Sequence, residues 1–316
     1  MKRKLFILLL ITAFLTAGIC FAGTLTVESD SQEFKDSDRK IYLEGNVRVK
    51  TEDVDVVSPR AVVEVNPDNN KVNKVEFKDN AYSYSIKDGK NHEIKSQILG
   101  MSLLDKVVSA EGNTISTITE KNKPVVIVTA DKQEYYKNEN VMKAFGSVNI
   151  IYKDINTYSN EALVYLNQKN DVKKIELRGN ARLHQAKNKI HANKLTYDNV
   201  KEEAEAFGTV YTDVTTDDNK RIEVWSNYQF YDKKANFVTA SGNAHIKYED
   251  YEATGPKVNV YSNKKTNKLN EAVFLGRSTI ETKGRTVTAD RITITMNPKD
   301  FKAEGNVKSV IPNFGS

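Results

Sequence analysis

Read along the chain, apolar and polar residues alternate with period two around a short recurring phrase. Its centre falls at Gly45 (LEGNVRV), Asp79, Gly112, Gly146, Gly179, Gly208, Gly242, Gly276 and Gly305 (AEGNVKS), at gaps of 34, 33, 34, 33, 29, 34, 34 and 29 residues. Two and four residues before each centre stand only apolar side chains, from Ile41 and Leu43 to Phe301 and Ala303. Two residues after it stand small or β-branched ones such as Val47, Ala81 and Val307, while the odd offsets mix charged and aromatic residues. This alternation predicts a β-strand through every centre, one face buried and the other mostly wet. Glycine weakens a strand interior, so its return requires a bend, a bulge or a close backbone neighbour there. Asn follows the centre at six of nine places and reads as an outward residue tolerant of bulges.

A second alternating phrase follows most centres: SPRAVVEV from Ser58, TADKQEYY from Thr129, SNEALVYL from Ser159, HANKLTYD from His191, WSNYQFYD from Trp225 and TADRITIT from Thr288. Polar turn clusters come next, for example NPDNN at Asn66 and NPKD at Asn297. Each unit is therefore two strands and a turn, and nine units predict about 18 strands. The one helix-like stretch, 199–206, fits the strand parity better. A longer period of roughly 100 residues groups the centres in threes, predicting internal repeats at about 38–138, 139–235 and 236–316 within a continuous β-body over 23–316. No linker interrupts it, which favours one elongated body over three beads.

The first 22 residues differ. Lys2, Arg3 and Lys4 precede an apolar run ending in small residues, the layout of a secretory signal over 1–22 cleaved after Ala22. The run is long enough for a retained anchor. Cys20 could instead carry a lipid, although bulky Ile19 precedes it. The chain has 316 residues and a formal charge of +5, which falls to +2 without this segment. The basic bias thus belongs to the leader, and nucleic acid loses its support as a partner. Cys20 is the single cysteine, so the remaining chain has neither a disulfide nor a cysteine zinc site.

Catalytic signals are poor. There is no G-x-S-x-G, no P-loop and no G-x-G-x-x-G, and no catalytic residue or cofactor is assigned. His92, His184, His191 and His245 fall on different phrases. His184 and His191 are seven apart across a turn, where ordinary surface histidines are the plainer reading than a metal site. The carboxylates Asp53 and Asp55, and Glu202, Glu203 and Glu205, read as solvated turn and edge charges rather than a glycoside-cleaving pair. Trp225 reads as packing.

What remains is the apolar face. It is either a self-packed core or the lining of a long trough suited to acyl chains, since each buried methylene contributes about 0.8 kcal/mol without a hydrogen bond. A leader followed by G-[NST]-V centres alternating with TAD…Y phrases, such as Thr129-Ala130-Asp131 with Tyr135 and Tyr136, resembles the OstA-like/LptA family over nearly the whole remaining chain. Those are periplasmic lipopolysaccharide-transport proteins related to LptC and the N-terminal part of LptD. The resemblance implies an open β-jellyroll of stacked antiparallel strands that holds lipid A acyl chains inside. It also implies partners of the same fold joined end to end by strand addition, and membrane association through partners. Carried onto this chain, the lipid-facing residues would be Ile41, Leu43, Val47, Val49, Phe77, Val148, Ile150, Leu177, Leu183, Val210, Ile246, Phe274, Ile280, Phe301 and Val307. The family has no catalytic residues to transfer. The 294 residues after the leader exceed a typical bridge subunit. At about 4.8 Å per strand, 18 strands would reach on the order of 80 Å. A structural or adhesive surface β-repeat without ligand is the alternative, and a polysaccharide-active enzyme a third reading.

Overall fold

The period-two pattern is realised throughout. In a computed structural model the described residues are 26–312, except 51–53, 70, 88, 153, 168–171, 217–218, 264–268, 283 and 297–298. The expected leader over 1–22 lies outside the described residues. The chain divides into two compact units that meet between Ile175 and Glu176.

The first unit contains β1 (Thr26–Glu28), β2 (Ser31–Lys35), β3 (Lys40–Lys50), β4 (Val54–Val65), β5 (Val72–Lys87), β6 (Lys90–Ser102), β7 (Val107–Glu120), β8 (Lys123–Tyr136), β9 (Val141–Tyr152) and β10 (Ile155–Leu166). β11 (Val172–Gln185) carries the boundary. The second unit continues with β12 (Asn188–Asp198), β13 (Glu203–Thr215), β14 (Arg221–Asp232), β15 (Phe237–Tyr248), β16 (Tyr251–Ser262), β17 (Leu269–Thr282), β18 (Arg285–Met296), β19 (Lys299–Glu304) and β20 (Lys308–Val310). From β3 to β10 and from β12 to β19 each strand pairs antiparallel with the next. The helix-like stretch is a turn running into β13.

The count of twenty strands among the described residues comes from two split ones. β1 pairs with residues 48–50 of β3 and β2 with residues 40–44. Between them the Asp30 N–H donates to the Gly45 carbonyl at 2.9 Å. β20 and β19 divide β18 in the same way, with the Asp290 N–H on the Gly305 carbonyl at 2.9 Å. Each pair is one strand broken at its bend, and counting each as one gives the 18 strands expected.

The bend explains the repeated phrase. Glu44 faces Arg60 and Val47 faces Ser58, so Gly45 and Asn46 together oppose Pro59 alone. This is a β-bulge, and it turns the strand sharply. Both bulge residues are left-handed, Gly45 at φ +73° and Asn46 at +47°. The same consecutive left-handed pair recurs at seven of the nine centres, which is why a residue tolerant of that region follows the glycine so often. At Gly208 and Gly276 only the glycine is left-handed, and Thr209 and Arg277 follow.

The second phrase supplies the partner. A Cβ on Gly45, Gly112, Gly146, Gly208, Gly242 or Gly305 would collide with the side chain of Asp30, Gln97, Asp131, Asn193, Asn227 or Asp290 respectively, in each case the residue fifteen positions earlier. The Asp or Asn of phrases such as TAD and HAN thus lies flat over the next corner. Asn46 and Asn306 complete the contact by donating to Asp30 Oδ2 at 2.9 Å and Asp290 Oδ2 at 2.7 Å. Asp79 lacks the glycine and instead receives Arg60 Nε at 2.5 Å.

Gly146→Ala, which forces a Cβ into Asp131 at φ +72°, should cost at least about 1–2 kcal/mol in chemical denaturation. Asp79→Gly removes an exposed ion pair but relieves left-handed strain, and should stay within about 1 kcal/mol of the parent.

Candidate functional site

Because the bulge recurs at the same height on alternate strands, inward residues line up in rows across the sheet. In the first unit, cross-strand pairing joins Leu43, Ala61, Phe77, Leu99, Ala110, Gln133, Ala144 and Ala162 into one row, one residue from each of β3 to β10. Every member is at most 2% exposed. Large and small side chains share the row, so neighbouring strands interdigitate at close-packed density. Beyond the corner Val49, Val56, Ser83, Ile94, Ser116, Val128, Ile150 and Thr157 form a second buried row.

Polar groups in these rows were not legible in the sequence. Gln133 is fully buried and bonds on three sides: its Nε2 donates to Thr114 Oγ1 at 2.7 Å and to the Val128 carbonyl at 3.3 Å, and its Oε1 accepts from Ser116 at 2.8 Å. Gln229 repeats the arrangement in the second unit, accepting from Thr212 Oγ1 at 2.7 Å. The signal was present as a Gln on an inward parity, two places after the Asp of TAD and after the Asn of SNY.

The second unit is lined differently. Its main row runs Leu195, Ala206, Gln229, Ala240, Val258, Phe274, Ile292 and Ala303. Ala240, Val258, Phe274 and Ile292 are buried, with Ala244, Ala253, Ile280 and Ala289 in the same cluster. The next row, Ile190, Thr212, Val224 and Ile246, is only half-buried before it closes at Ala253, Ile280 and Val287. Val224, Ile246, Val260 and Ile294 pack on the core with one side exposed. Tyr197 and Tyr231 lie half-buried on a further inward row, and burial pushes the Tyr197 phenol up to about 12.

Among the inward residues expected from parity, Leu43, Val47, Val49, Phe77, Val148, Ile150, Leu177, Val210, Phe274 and Ile280 are buried. Ile41, Leu183 and Ile246 are half-buried. Phe301 and Val307 are 37% and 52% exposed, contrary to their parity. They lie at and just beyond β19, where the short final strands pair only with β18 among the described residues, so nothing there covers them.

The outward face is charged and locally neutralised. Lys132 sits between Glu111 and Glu134 at 2.9 and 2.7 Å, and those carboxylates raise its pKa. Glu176, buried, is held by Arg178 at 2.7 Å and Lys194 at 3.2 Å. Among the described residues no three His, Cys, Asp or Glu converge on one point. What the inward face offers is apolar contact area.

An antiparallel β-repeat with one apolar lining and one charged face is the class of protein so defined. Residues 26–99 match the family described as LptA/(LptD N-terminal domain) LPS transport protein, and residues 113–256 match OstA-like protein. The chain belongs to the OstA-like/LptA family. No curated protein sequence matches it. A similar solved structure is LptH of Pseudomonas aeruginosa, described as the LptA homologous periplasmic component of the conserved lipopolysaccharide transport device. It is 11% identical, with 42% of this chain and 96% of that one covered and a TM-score of 0.35, so the assignment rests on the family matches.

Phe77→Ala should cost about 3–5 kcal/mol of stability, as expected for a void in a filled row. Ile246→Ala, at a half-buried position, should cost clearly less in the same denaturation series.

Proposed function

We propose that this protein carries lipopolysaccharide or a related glycolipid through the periplasm, seating its acyl chains against the inward apolar rows. The supporting observation is the half-buried inward row of the second unit. Ile190, Val224 and Ile246, with Val260 and Ile294 on the neighbouring rows, present apolar surface that this unit's own packing leaves partly uncovered. Covering such surface is favourable by roughly 25 cal/mol per Å2. An acyl chain can do so without leaving a polar group unpaired. The role is one of binding and passage, with no chemical step.

The bridge role has its own support. β1 and β2 pair only with β3, and β19 and β20 only with β18, among the described residues. Each therefore presents a row of backbone donors and acceptors, the template for adding a strand from another protein of this fold. Exposed Phe34 and Val310 flank these edges. Three repeats on one chain would let it stand in for several shorter subunits, with the leader over 1–22 delivering it across the inner membrane.

The first unit favours a second reading for its own part. Its main row is at most 2% exposed over eight strands, as in a self-filled core. There the chain would act as structural β-repeat rather than lipid path.

Native mass spectrometry of protein isolated from its membranes should show a bound species of lipid A mass. Ile246→Asp should reduce that occupancy at least tenfold with the β circular dichroism unchanged. Bare protein under all conditions would remove the transport reading and leave the structural one.

A further inference from the structure

The outward face of the second unit carries a feature that lipid passage does not use. His184 on β11 and His191 on β12 direct the same ring atom at each other, Nε2 to Nε2 at 3.4 Å. That is too long for a good N–H···N hydrogen bond, which lies near 2.7–3.2 Å. It matches a shared metal ion. Two nitrogens each about 2.0–2.1 Å from a tetrahedral zinc ion are about 3.3–3.4 Å apart. Ligands at right angles in a square-planar or octahedral shell would need to be closer, near 2.8–3.0 Å.

The pair is supported from one side by rings. His191 meets Tyr211 edge-on at 5.9 Å between centroids, Tyr211 packs on Trp225 at 5.2 Å, and Trp225 stacks on His245 at 4.9 Å. One ring comes from each of β12, β13, β14 and β15, in cross-strand register. Tyr211 is itself held, donating to Glu223 Oε1 at 2.7 Å and accepting from Arg221 at 3.2 Å. His191 therefore has little freedom to rotate out of position.

We infer that His184 and His191 form a two-imidazole site for a tetrahedral divalent cation of the zinc class, with water completing the shell. Each ring would carry its proton on Nδ1 and bind through Nε2. No third protein donor is needed for the geometry, and the half-exposed face admits solvent. The site stays within the second unit and does not depend on the lipid reading.

Zinc titrated into the chain from residue 23 onward by calorimetry should bind one ion per chain, and cobalt as a spectroscopic substitute should give the intense visible bands of a tetrahedral complex. His184→Ala and His191→Ala should each weaken binding at least tenfold. His92→Ala, on β6 in the other unit, should leave it unchanged. His184→Gln gives a second variant of the same size, and circular dichroism checks folding for all four. Unchanged affinity in the His184 or His191 variants, equal loss in His92→Ala, weak octahedral cobalt bands, or one zinc shared by two chains would each overturn the site.

Discussion

The structure depends on one constraint, the left-handed corner at the middle of every second strand from β3 onward. A strand that ran straight would keep both its arms in one line, whereas a bulge bends it and redirects the row beyond the corner. The one-residue bulge at Gly45-Asn46 recurs on alternate strands at the same height, so that Leu43 stays beside Ala61 and Phe77. The corner is not secured by glycine alone. At six of the nine corners it is covered by the side chain of an Asp, Asn or Gln from the preceding strand, while Pro256 covers Gly276, and at both ends of the repeat Asn46 and Asn306 bond directly to that carboxylate. Asp79 shows the tolerance of the arrangement, because an ion pair to Arg60 replaces the glycine contact.

Above this common frame the two units spend their inward surface differently. The first fills its rows with complementary large and small side chains and anchors them by the Gln133 network. The second repeats the frame with Gln229 but stops short of filling it, leaving Val224 and Ile246 half-covered. The same backbone thus supports a dry core or a partly open lining. The choice is made by side-chain volume at positions the corner has already aligned.

Much of this was legible from parity. Alternation around Gly45, Gly146 and Gly242 located the strands and the inward positions, and the family resemblance agreed with the matches over residues 26–99 and 113–256. Three things were hidden. The phrase fifteen residues earlier was visible as a repeat, but its contact with the glycine depends on how adjacent strands stack, which no local pattern encodes. Burial at Phe301 and Val307 was misjudged because parity reports which way a side chain points, not whether a further strand lies over it. The ring column through His191, Tyr211 and Trp225 depends on pairing between strands 14 to 20 residues apart, so single residues there read as ordinary packing.

Because each bend rests on a residue of the strand before it, the smallest piece that can be added or deleted without disturbing the alignment is a whole hairpin. A gene that duplicated such a piece would acquire its own glycine and its own covering Asp or Asn together. Chain length in this architecture is therefore free to change in steps of about thirty-three residues.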